Sequence, residues 1–210
     1  MQDIALIGPS FHFDRMTDPT DADAELTGNG WLAGPYASFE LGSGVFHDTS
    51  LLYGGSWNDV DTEHFGDSFD TRRVMWDSKL QGQWQLGDAT VLTPVLRAVL
   101  LSETVDDYSV SNGDGTQVDL KGFAQEQLRF SVGAELERAC LLESGLLLTP
   151  GLGGTAGFAA SDNIGAFGTV SAGLNISNDL NWDFDFSLLY GIESEGEQTV
   201  GAKEGAHVRF

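Results

Sequence analysis

A single run of alternating side chains limits what this chain can fold into. From Val118 to Leu136, about 19 residues, apolar or small residues mostly hold one set of alternate positions and mainly polar residues hold the other. Period-two alternation is typical of a β-strand with two different faces. A soluble strand usually has about three to ten residues, whereas a tilted strand that crosses a bilayer needs about 9–11 and can extend beyond it. The length of the run favours a membrane β-barrel.

The same alternation recurs between Leu180 and Ile192. One face there carries leucine, tryptophan, phenylalanine, tyrosine and isoleucine, and the other carries asparagine, aspartate and serine. A soluble sandwich would bury the first face. In a barrel wall that face meets lipid, and the carboxylates of Asp183 and Asp185 face a wet lumen.

Applied to the whole chain, the pattern predicts an all-β fold, an antiparallel up-and-down transmembrane β-barrel with about 10 strands in a single domain, residues 1–210. The predicted strands are 2–13, 30–42, 45–57, 69–86, 89–105, 118–137, 145–160, 165–176, 180–192 and 198–210. An open sheet edge cannot persist in hydrocarbon, where unpaired backbone groups are costly. We therefore expect residues 2–13 to pair with residues 198–210.

Acidic residues gather in the connections at one end of the predicted barrel. Half of the 32 acidic residues, against the one basic residue Arg15, fall in the segments 14–29, 58–68, 103–117 and 193–197. Most connections at the other end are short and rich in glycine, asparagine or aspartate, which suit tight hairpins. Outer-membrane barrels have short periplasmic turns and longer external loops, so the acid-rich end is predicted to be external.

Composition excludes several classes of function. A net charge of −22 argues against nucleic acid as a partner, because Lys and Arg supply most of the affinity for phosphate. The lone Cys140 cannot form an internal disulfide and has no metal-ligand spacing around it. The acid-rich segments do not match the spaced twelve-residue calcium loop. We expect no cofactor and no metal site.

The alternation also assigns side chains to the two faces. The predicted outward apolar belt comprises Trp76, Leu80, Trp84, Leu92, Leu96, Leu128, Phe130, Trp182, Phe184, Phe186 and Phe210. The charged residues predicted to face the lumen are Arg73, Lys79, Arg97, Lys121, Arg129, Asp183 and Asp185. Charges on an inner wall are tolerated where they are wet or paired. A salt-bridge network that fills the barrel and a polar channel both remain open.

The last residues of the chain resemble the C-terminal signal of outer-membrane barrels. The shared features are a glycine, a hydrophobic residue and a terminal aromatic at the matching spacing, here Gly205, Val208 and Phe210. The resemblance implies that the barrel-assembly machinery recognises these three residues as an assembly signal.

A second resemblance covers nearly the whole chain. The segments that carry it are Gly-Pro-Tyr-Ala at 34–37, Tyr-Gly-Gly-Ser-Trp-Asn-Asp at 53–59, Ser-Phe-Asp-Thr-Arg-Arg at 68–73, Gly-Gln-Trp at 82–84, Leu-Thr-Pro at 92–94, and Glu103. Together they resemble the autotransporter β-barrel domain of type V secretion. That family has a twelve-stranded barrel preceded by a helix in the pore. The resemblance implies that this chain lacks the N-terminal strands, the pore helix and the passenger.

The resemblance also implies a function and a location. The chain is expected to be a translocator or anchor barrel in the outer membrane of a Gram-negative bacterium, for secretion or surface display of an N-terminal passenger. The expected partners are outer-membrane lipid and lipopolysaccharide, the barrel-assembly machinery and the passenger in cis, with no nucleic acid. A small porin-like or structural barrel without a passenger is the alternative, and a soluble β-sandwich is a third hypothesis.

Catalysis is the remaining hypothesis, and the sequence argues against it. The omptin proteases, a ten-stranded outer-membrane family, use aspartate pairs and an Asp-His pair at the outer rim. Residues of these types occur here at His64 with Asp59, Asp61 and Asp67, and at Asp106 with Asp107. General acid-base chemistry needs a partner at hydrogen-bond distance, which proximity in a loop does not provide. We expect no enzymatic activity.

Overall fold

The computed structural model describes residues 5–20, 24–62, 64–112, 114–161, 164–178, 182–194 and 196–208, which form one antiparallel sheet of 14 strands. The strands are β1 (Ala5–Thr20), β2 (Ala24–Gly42), β3 (Val45–Thr62), β4 (Gly66–Gly82), β5 (Trp84–Gly87), β6 (Thr90–Val105), β7 (Tyr108–Ser111), β8 (Gln117–Leu120), β9 (Phe123–Arg138), β10 (Cys140–Leu141), β11 (Leu146–Ala160), β12 (Ile164–Asn178), β13 (Trp182–Glu193) and β14 (Gln198–Val208). The prediction of an all-β antiparallel fold is confirmed.

Ten long strands form the path of the sheet, in the order β1-β2-β3-β4-β6-β9-β11-β12-β13-β14. The four short strands lie off this path: β5 pairs with β6, β7 and β8 form a hairpin, and β10 pairs with β11. Strand β4 ends at Gly82 and β5 begins at Trp84. Between them, the backbone N–H of Gln83 donates to the Gly44 carbonyl at 2.7 Å. Each long strand therefore lies beside its neighbour along the chain, as in the predicted up-and-down order.

Two of the acid-rich connections are shorter in the structure than predicted, because the strands on either side continue into them. Strands β1 and β2 stay in register from Ala5 opposite Phe39 to Thr20 opposite Ala24, and β3 and β4 stay paired as far as Asp61 opposite Gly66. The segments 14–29 and 58–68, predicted as long loops, are therefore mostly strand. Most residues on both faces are polar in these segments, apart from residues such as Met16, Leu26 and Val60, so the hydrophobic alternation weakens while the backbone ladder continues.

The tight turns at the other end of the sheet depend on glycine. Gly44, between β2 and β3, has φ 73°, and Gly145, before β11, has φ 82°. This left-handed region is readily accessible to glycine and unfavourable for most other residues. A Cβ atom at Gly44 would also lie 2.9 Å from the Gln83 carbonyl oxygen. These glycines let consecutive long strands reverse direction within a few residues.

The sheet buries few side chains and exposes many large apolar ones. The buried hydrophobic side chains among the described residues are Leu32, Leu52 and Val105. Large exposed side chains include those of Leu6, Ile7, Phe11, Phe13, Trp57, Trp76, Trp84, Leu96, Leu128, Phe184, Phe186 and Leu188. A soluble monomer rarely exposes a continuous apolar surface of this extent. The arrangement fits a wall whose apolar surface meets lipid.

The sheet is curled into a half-barrel. Within the described ranges, β1 pairs only with β2, and β14 pairs only with β13. The expected pairing of residues 2–13 with residues 198–210 is therefore not observed in the part of the chain that the structure describes. Among the same residues, no helix has the length and apolarity required to cross a membrane.

Candidate functional site

The sheet has two chemically different faces, which the cross-strand register defines. Directly opposed residues in an antiparallel ladder share a face. We call one the polar face; it carries Asp48, Arg73, Asp77, Lys79, Arg97, Arg129, Asp185 and Glu193. We call the other the apolar face; it carries Trp76, Leu80, Leu96, Leu100, Leu128, Phe184, Phe186 and Leu188.

Arg73 links three strands on the polar face. Its Nε donates to Glu103 Oε1 at 2.8 Å, and its Nη1 donates to Asp14 Oδ2 at 3.4 Å. Glu103 lies directly opposite Arg73 in the ladder between β4 and β6. A Cβ atom at Gly30 would lie 2.6 Å from Nη1, so glycine leaves the space through which the guanidinium reaches Asp14. The pair joins β4 to both β6 and β1.

Two further ion pairs border a cavity of about 320 Å³ on the polar face. Lys79 Nζ lies 3.0 Å from Asp48 Oδ2, while Asp48 Oδ1 accepts hydrogen bonds from Ser38 at 2.6 Å and Tyr36 at 3.1 Å. Arg97 holds Asp77 with two hydrogen bonds, Nε to Oδ1 at 2.9 Å and Nη2 to Oδ2 at 2.5 Å. Bidentate pairs of this kind fix both partners in orientation.

Arg129 also reaches across two intervening strands on the polar face. Its Nη2 donates to Glu193 Oε1 at 2.8 Å, and its guanidinium carbon lies 4.3 Å from the centre of the Phe167 ring. Phe167 is directly opposite Glu193 in the ladder between β12 and β13. The ring therefore supports a cation that is paired with a carboxylate beyond it.

The charged residues predicted to face the lumen differ in whether they form ion pairs. Arg73, Lys79, Arg97 and Arg129 each form an ion pair, whereas Lys121 is exposed in the connection between β8 and β9. Asp185 accepts a hydrogen bond from Asn175 at 2.8 Å. Asp183 lies at the start of β13, where the ladder sets it opposite His207.

The predicted apolar belt is largely exposed. Trp76, Leu80, Trp84, Leu96, Leu128, Phe184 and Phe186 are exposed on the sheet. Leu92, Phe130 and Trp182 are half-buried. Phe130 packs against Phe158 with ring centres 5.6 Å apart, and Trp182 packs against Phe184 at 5.1 Å. Phe210 lies outside the described residues.

Two of the acidic residues considered for a protease site, Asp106 and Asp107, make contacts with neighbouring strands and connections. Asp106 forms an ion pair with Arg72, and Asp107 Oδ1 accepts a hydrogen bond from the Gly122 backbone N–H at 2.7 Å. Asp59 and Asp61 lie in the ladder between β3 and β4, opposite Ser68 and Gly66. Asp106 and Asp107 thus hold the β7–β8 hairpin against the neighbouring strands.

Sequence reasoning missed Glu103, Asp48 and Glu193 as the partners of Arg73, Lys79 and Arg129. The signal that identifies Glu103 and Asp48 is the register, because each lies directly opposite its cation. Glu193 has no such signal, since two strands separate it from Arg129.

The assembly-signal residues are placed only in part. Gly205 lies in β14 opposite Asp185, and Val208 ends β14 opposite Trp182. Val208 is exposed. Phe210 lies outside the described residues, so its prediction stands on the sequence alone.

Comparison with known proteins identifies the family. The Autotransporter beta-domain family matches residues 9–178. The beta domain of the Bordetella autotransporter BrkA has a TM-score of 0.80 and 14% identity, covering 99% of this chain and 87% of that chain. The outer membrane transporter YddB from Escherichia coli has a TM-score of 0.42 and 10% identity over 95% of this chain and 36% of that chain, too low to bear on the fold. No curated protein sequence matches the chain.

The family match spans most of the chain, and the likeness to the BrkA domain supports the same barrel fold. The family is one of translocator barrels and is not an enzyme family. The chain therefore belongs to the Autotransporter beta-domain family, as an outer-membrane translocator and anchor barrel of a Gram-negative bacterium for a passenger carried in cis.

Proposed function

We propose that the polar face lines a hydrated conduit for the passenger, and that the barrel itself performs no catalytic step. One observation carries the proposal: the cations Arg73, Lys79, Arg97 and Arg129 are each paired with a carboxylate on another strand of the same face. Paired charged side chains on the inner wall of a membrane barrel are compatible with a water-filled interior. Within each pair the opposite charges also offset each other, which weakens the attraction of these cations for a moving polypeptide.

The partial exposure of these pairs supports the same function. The side chains of Arg97 and Asp77 are 50% and 21% exposed. An ion pair that remains in contact with water costs less desolvation than a buried one and contributes modestly to stability. The polar face is thus compatible with a water-filled interior, whereas a fully packed interior would bury these groups.

Further strands would complete the wall. The outer edges of β1 and β14 have no ladder partner among the described residues, and hydrocarbon does not tolerate unpaired backbone groups. The BrkA beta domain also extends beyond the part that this chain covers. We propose that residues upstream of Met1 supply the closing strands, a pore helix and the passenger.

Different parts of the barrel are proposed to contact different partners. We propose that outer-membrane lipid and lipopolysaccharide contact the apolar face. The assembly machinery would recognise Gly205, Val208 and Phe210 near the short-turn end. The exposed apolar side chain of Val208 supports this assignment, because a residue that the machinery recognises must be accessible to it.

The absence of a catalytic role rests on how the acidic residues are used. Asp106 and Asp107 are occupied by Arg72 and by the Gly122 backbone. A general base needs access to the proton that it abstracts. We propose that these carboxylates stabilise the hairpin and do not act on a substrate.

Surface display of a reporter tests the conduit. A reporter passenger, fused ahead of this chain together with its natural upstream segment, should become accessible to protease in intact cells. Replacing both members of the pair in an Asp77→Leu, Arg97→Leu variant should reduce display while the amount of folded barrel is unchanged. Trp76→Leu, one position away on the apolar face, is the matched control.

The same experiment separates the conduit from a porin-like barrel. A reporter that stays in the periplasm, together with steady ion conductance of the purified barrel in planar bilayers, would favour the porin-like alternative. Unchanged display in the double variant would contradict the role given to the polar face.

A further inference from the structure

We propose that Asp183, Asp185 and His207 form a site for a divalent transition metal ion of the zinc class, which joins β13 to β14. One ligand atom from each residue lies within 4.8 Å of those of the other two. The two aspartates are neighbours on β13, whereas His207 lies on β14, and no spacing motif in the sequence links them. This inference does not depend on the translocation conduit.

The strand register brings the three side chains together. Asp183 lies directly opposite His207 in the ladder between β13 and β14, and Asp185 lies opposite Gly205. Side chains two residues apart on a strand point to the same face. Asp183, Asp185 and His207 therefore share the polar face at the end of the sheet where β13 begins and β14 ends.

Gly205 lies close to two of the three proposed ligands. A Cβ atom built on Gly205 would lie 3.8 Å from both Asp185 Oδ2 and His207 Nε2. These are ordinary van der Waals distances, and they place Gly205 beside both donors. The Asp185 carboxylate and the His207 ring face each other diagonally across the ladder at this position.

A neighbouring amide orients the Asp185 carboxylate. Asn175 Nδ2 donates to Asp185 Oδ1 at 2.8 Å. The second oxygen, Oδ2, faces His207 Nε2 at 3.7 Å. Hydrogen bonds to the non-ligating atom of a metal ligand commonly fix its orientation in this way.

The electrostatic surroundings favour a cation. Asp185 and His207 border a cavity of about 240 Å³ that also includes Glu135, Glu137 and Lys203. With Asp183, four carboxylates are set against one lysine. A concave site with an excess of one charge attracts ions of the other sign.

The donor set selects the class of metal. One imidazole nitrogen and two carboxylate oxygens suit zinc and its neighbours, whereas calcium takes six to eight oxygen ligands. Ligands at about 2.0–2.2 Å from a tetrahedral ion lie roughly 3.4 Å apart, so the donors, now within 4.8 Å of one another, must close by up to about 1.4 Å. The side chain of His207 is 67% exposed, so a change of its rotamer towards the aspartates meets little packing. Water would complete the coordination.

The proposed site has a structural consequence for the edge of the sheet. Strand β14 has β13 as its only ladder partner among the described residues. A metal ion between Asp183, Asp185 and His207 would add a second kind of link between these two strands. Zinc should therefore raise the stability of the folded sheet as well as bind to it.

Calorimetric titration of the full chain, refolded in detergent, with zinc chloride tests the site. We expect one ion per chain with a micromolar dissociation constant, weakened at least tenfold in His207→Gln and in Asp185→Asn. Glu204→Gln is the matched control, because Glu204 lies on the opposite face of the same strand and loses the same charge. Zinc should also raise the unfolding temperature of the intact chain and of the control.

A measurement on the intact chain remains decisive if a variant fails to fold. The chain has four histidines. In nitrogen NMR of labelled histidine, zinc should shift the imidazole signals of His207 and leave those of His12, His47 and His64 in place. Absence of binding up to millimolar zinc, equal affinity in His207→Gln, or a shift confined to the other histidines would overturn the proposal.

Discussion

Arg129 of β9 donates to Glu193 of β13 at 2.8 Å, although two strands, β11 and β12, lie between them in the sheet. The Arg129 side chain passes over the Phe167 ring, and its guanidinium carbon lies 4.3 Å from the ring centre. One ion pair therefore ties together four consecutive strands of the wall. This arrangement can be tested by replacing either end.

Removing the pair should destabilise the barrel by a modest amount. The side chains of Arg129 and Glu193 are 33% and 35% exposed, so solvent screens the pair. We expect Arg129→Gln and Glu193→Gln each to cost about 1 kcal/mol in the free energy of unfolding. Urea unfolding in lipid vesicles measures this quantity. The double variant should show a coupling of about 0.5–1 kcal/mol, and strictly additive effects would contradict the contact.

Glycine at position 157 should be required for the packing beneath Arg129. A Cβ atom there would lie 2.7 Å from Phe167 Cζ and would also collide with the Phe130 carbonyl oxygen. We expect Gly157→Ala to cost about 1–3 kcal/mol through overpacking. Gly154→Ala in the same strand is the control, because its Cβ would come no closer than 3.9 Å to the Thr169 carbonyl oxygen. Equal stabilities of the two variants would contradict the close packing of Gly157 against Phe167 and the Phe130 carbonyl.

A charge on the apolar face should be costly in proportion to its depth. Leu188 is 64% exposed near the middle of β13, whereas Phe184 lies two residues from its start. We expect Leu188→Arg to cost about 2–4 kcal/mol and Phe184→Arg about 0–1 kcal/mol, because arginine is least favourable at the bilayer midplane. Reversible unfolding in vesicles gives both values. A larger cost at Phe184 would mean that the membrane lies elsewhere along β13.

The assembly signal should matter in cells more than in detergent. We expect Phe210→Ser to reduce the heat-modifiable form in outer-membrane fractions several-fold while refolding into detergent is unchanged, since the change removes a residue that the assembly machinery recognises. Leu189→Ser serves as a control away from the signal. Equal membrane insertion of Phe210→Ser and the unchanged chain would contradict the signal.

The alternation of side chains was sufficient to predict most of the fold. Residues 118–137 and 180–192 each have one apolar face for lipid and one polar face for water. The first range, predicted as one strand, is divided into β8 and β9 at Lys121 and Gly122, and the second corresponds to β13. Asp59 and Asp61 lack this signal, since water surrounds both faces beyond the membrane. Their pairing opposite Ser68 and Gly66 depends on backbone hydrogen bonds, which sequence periodicity does not report.

The contacts of the polar face were less predictable. That Arg73 and Arg129 face the same side follows from alternation, but the partner of each depends on which strands are adjacent and in what register. Glu103 is opposite Arg73, whereas Glu193 is two strands away from Arg129, with the Phe167 ring against the guanidinium. The cluster of Asp183, Asp185 and His207 likewise exists only once β13 and β14 are aligned.

The central claim is that one face of this sheet meets lipid and the other meets water. Single cysteines at Phe184, Phe186 and Leu188, and at Ser187 and Leu189, each introduced into a Cys140→Ser chain and labelled with an environment-sensitive fluorophore, test it most directly. In lipid vesicles the first three positions should be quenched by lipid-borne quenchers and the last two by aqueous iodide. Quenching of all five positions by iodide, or by lipid, would contradict the account.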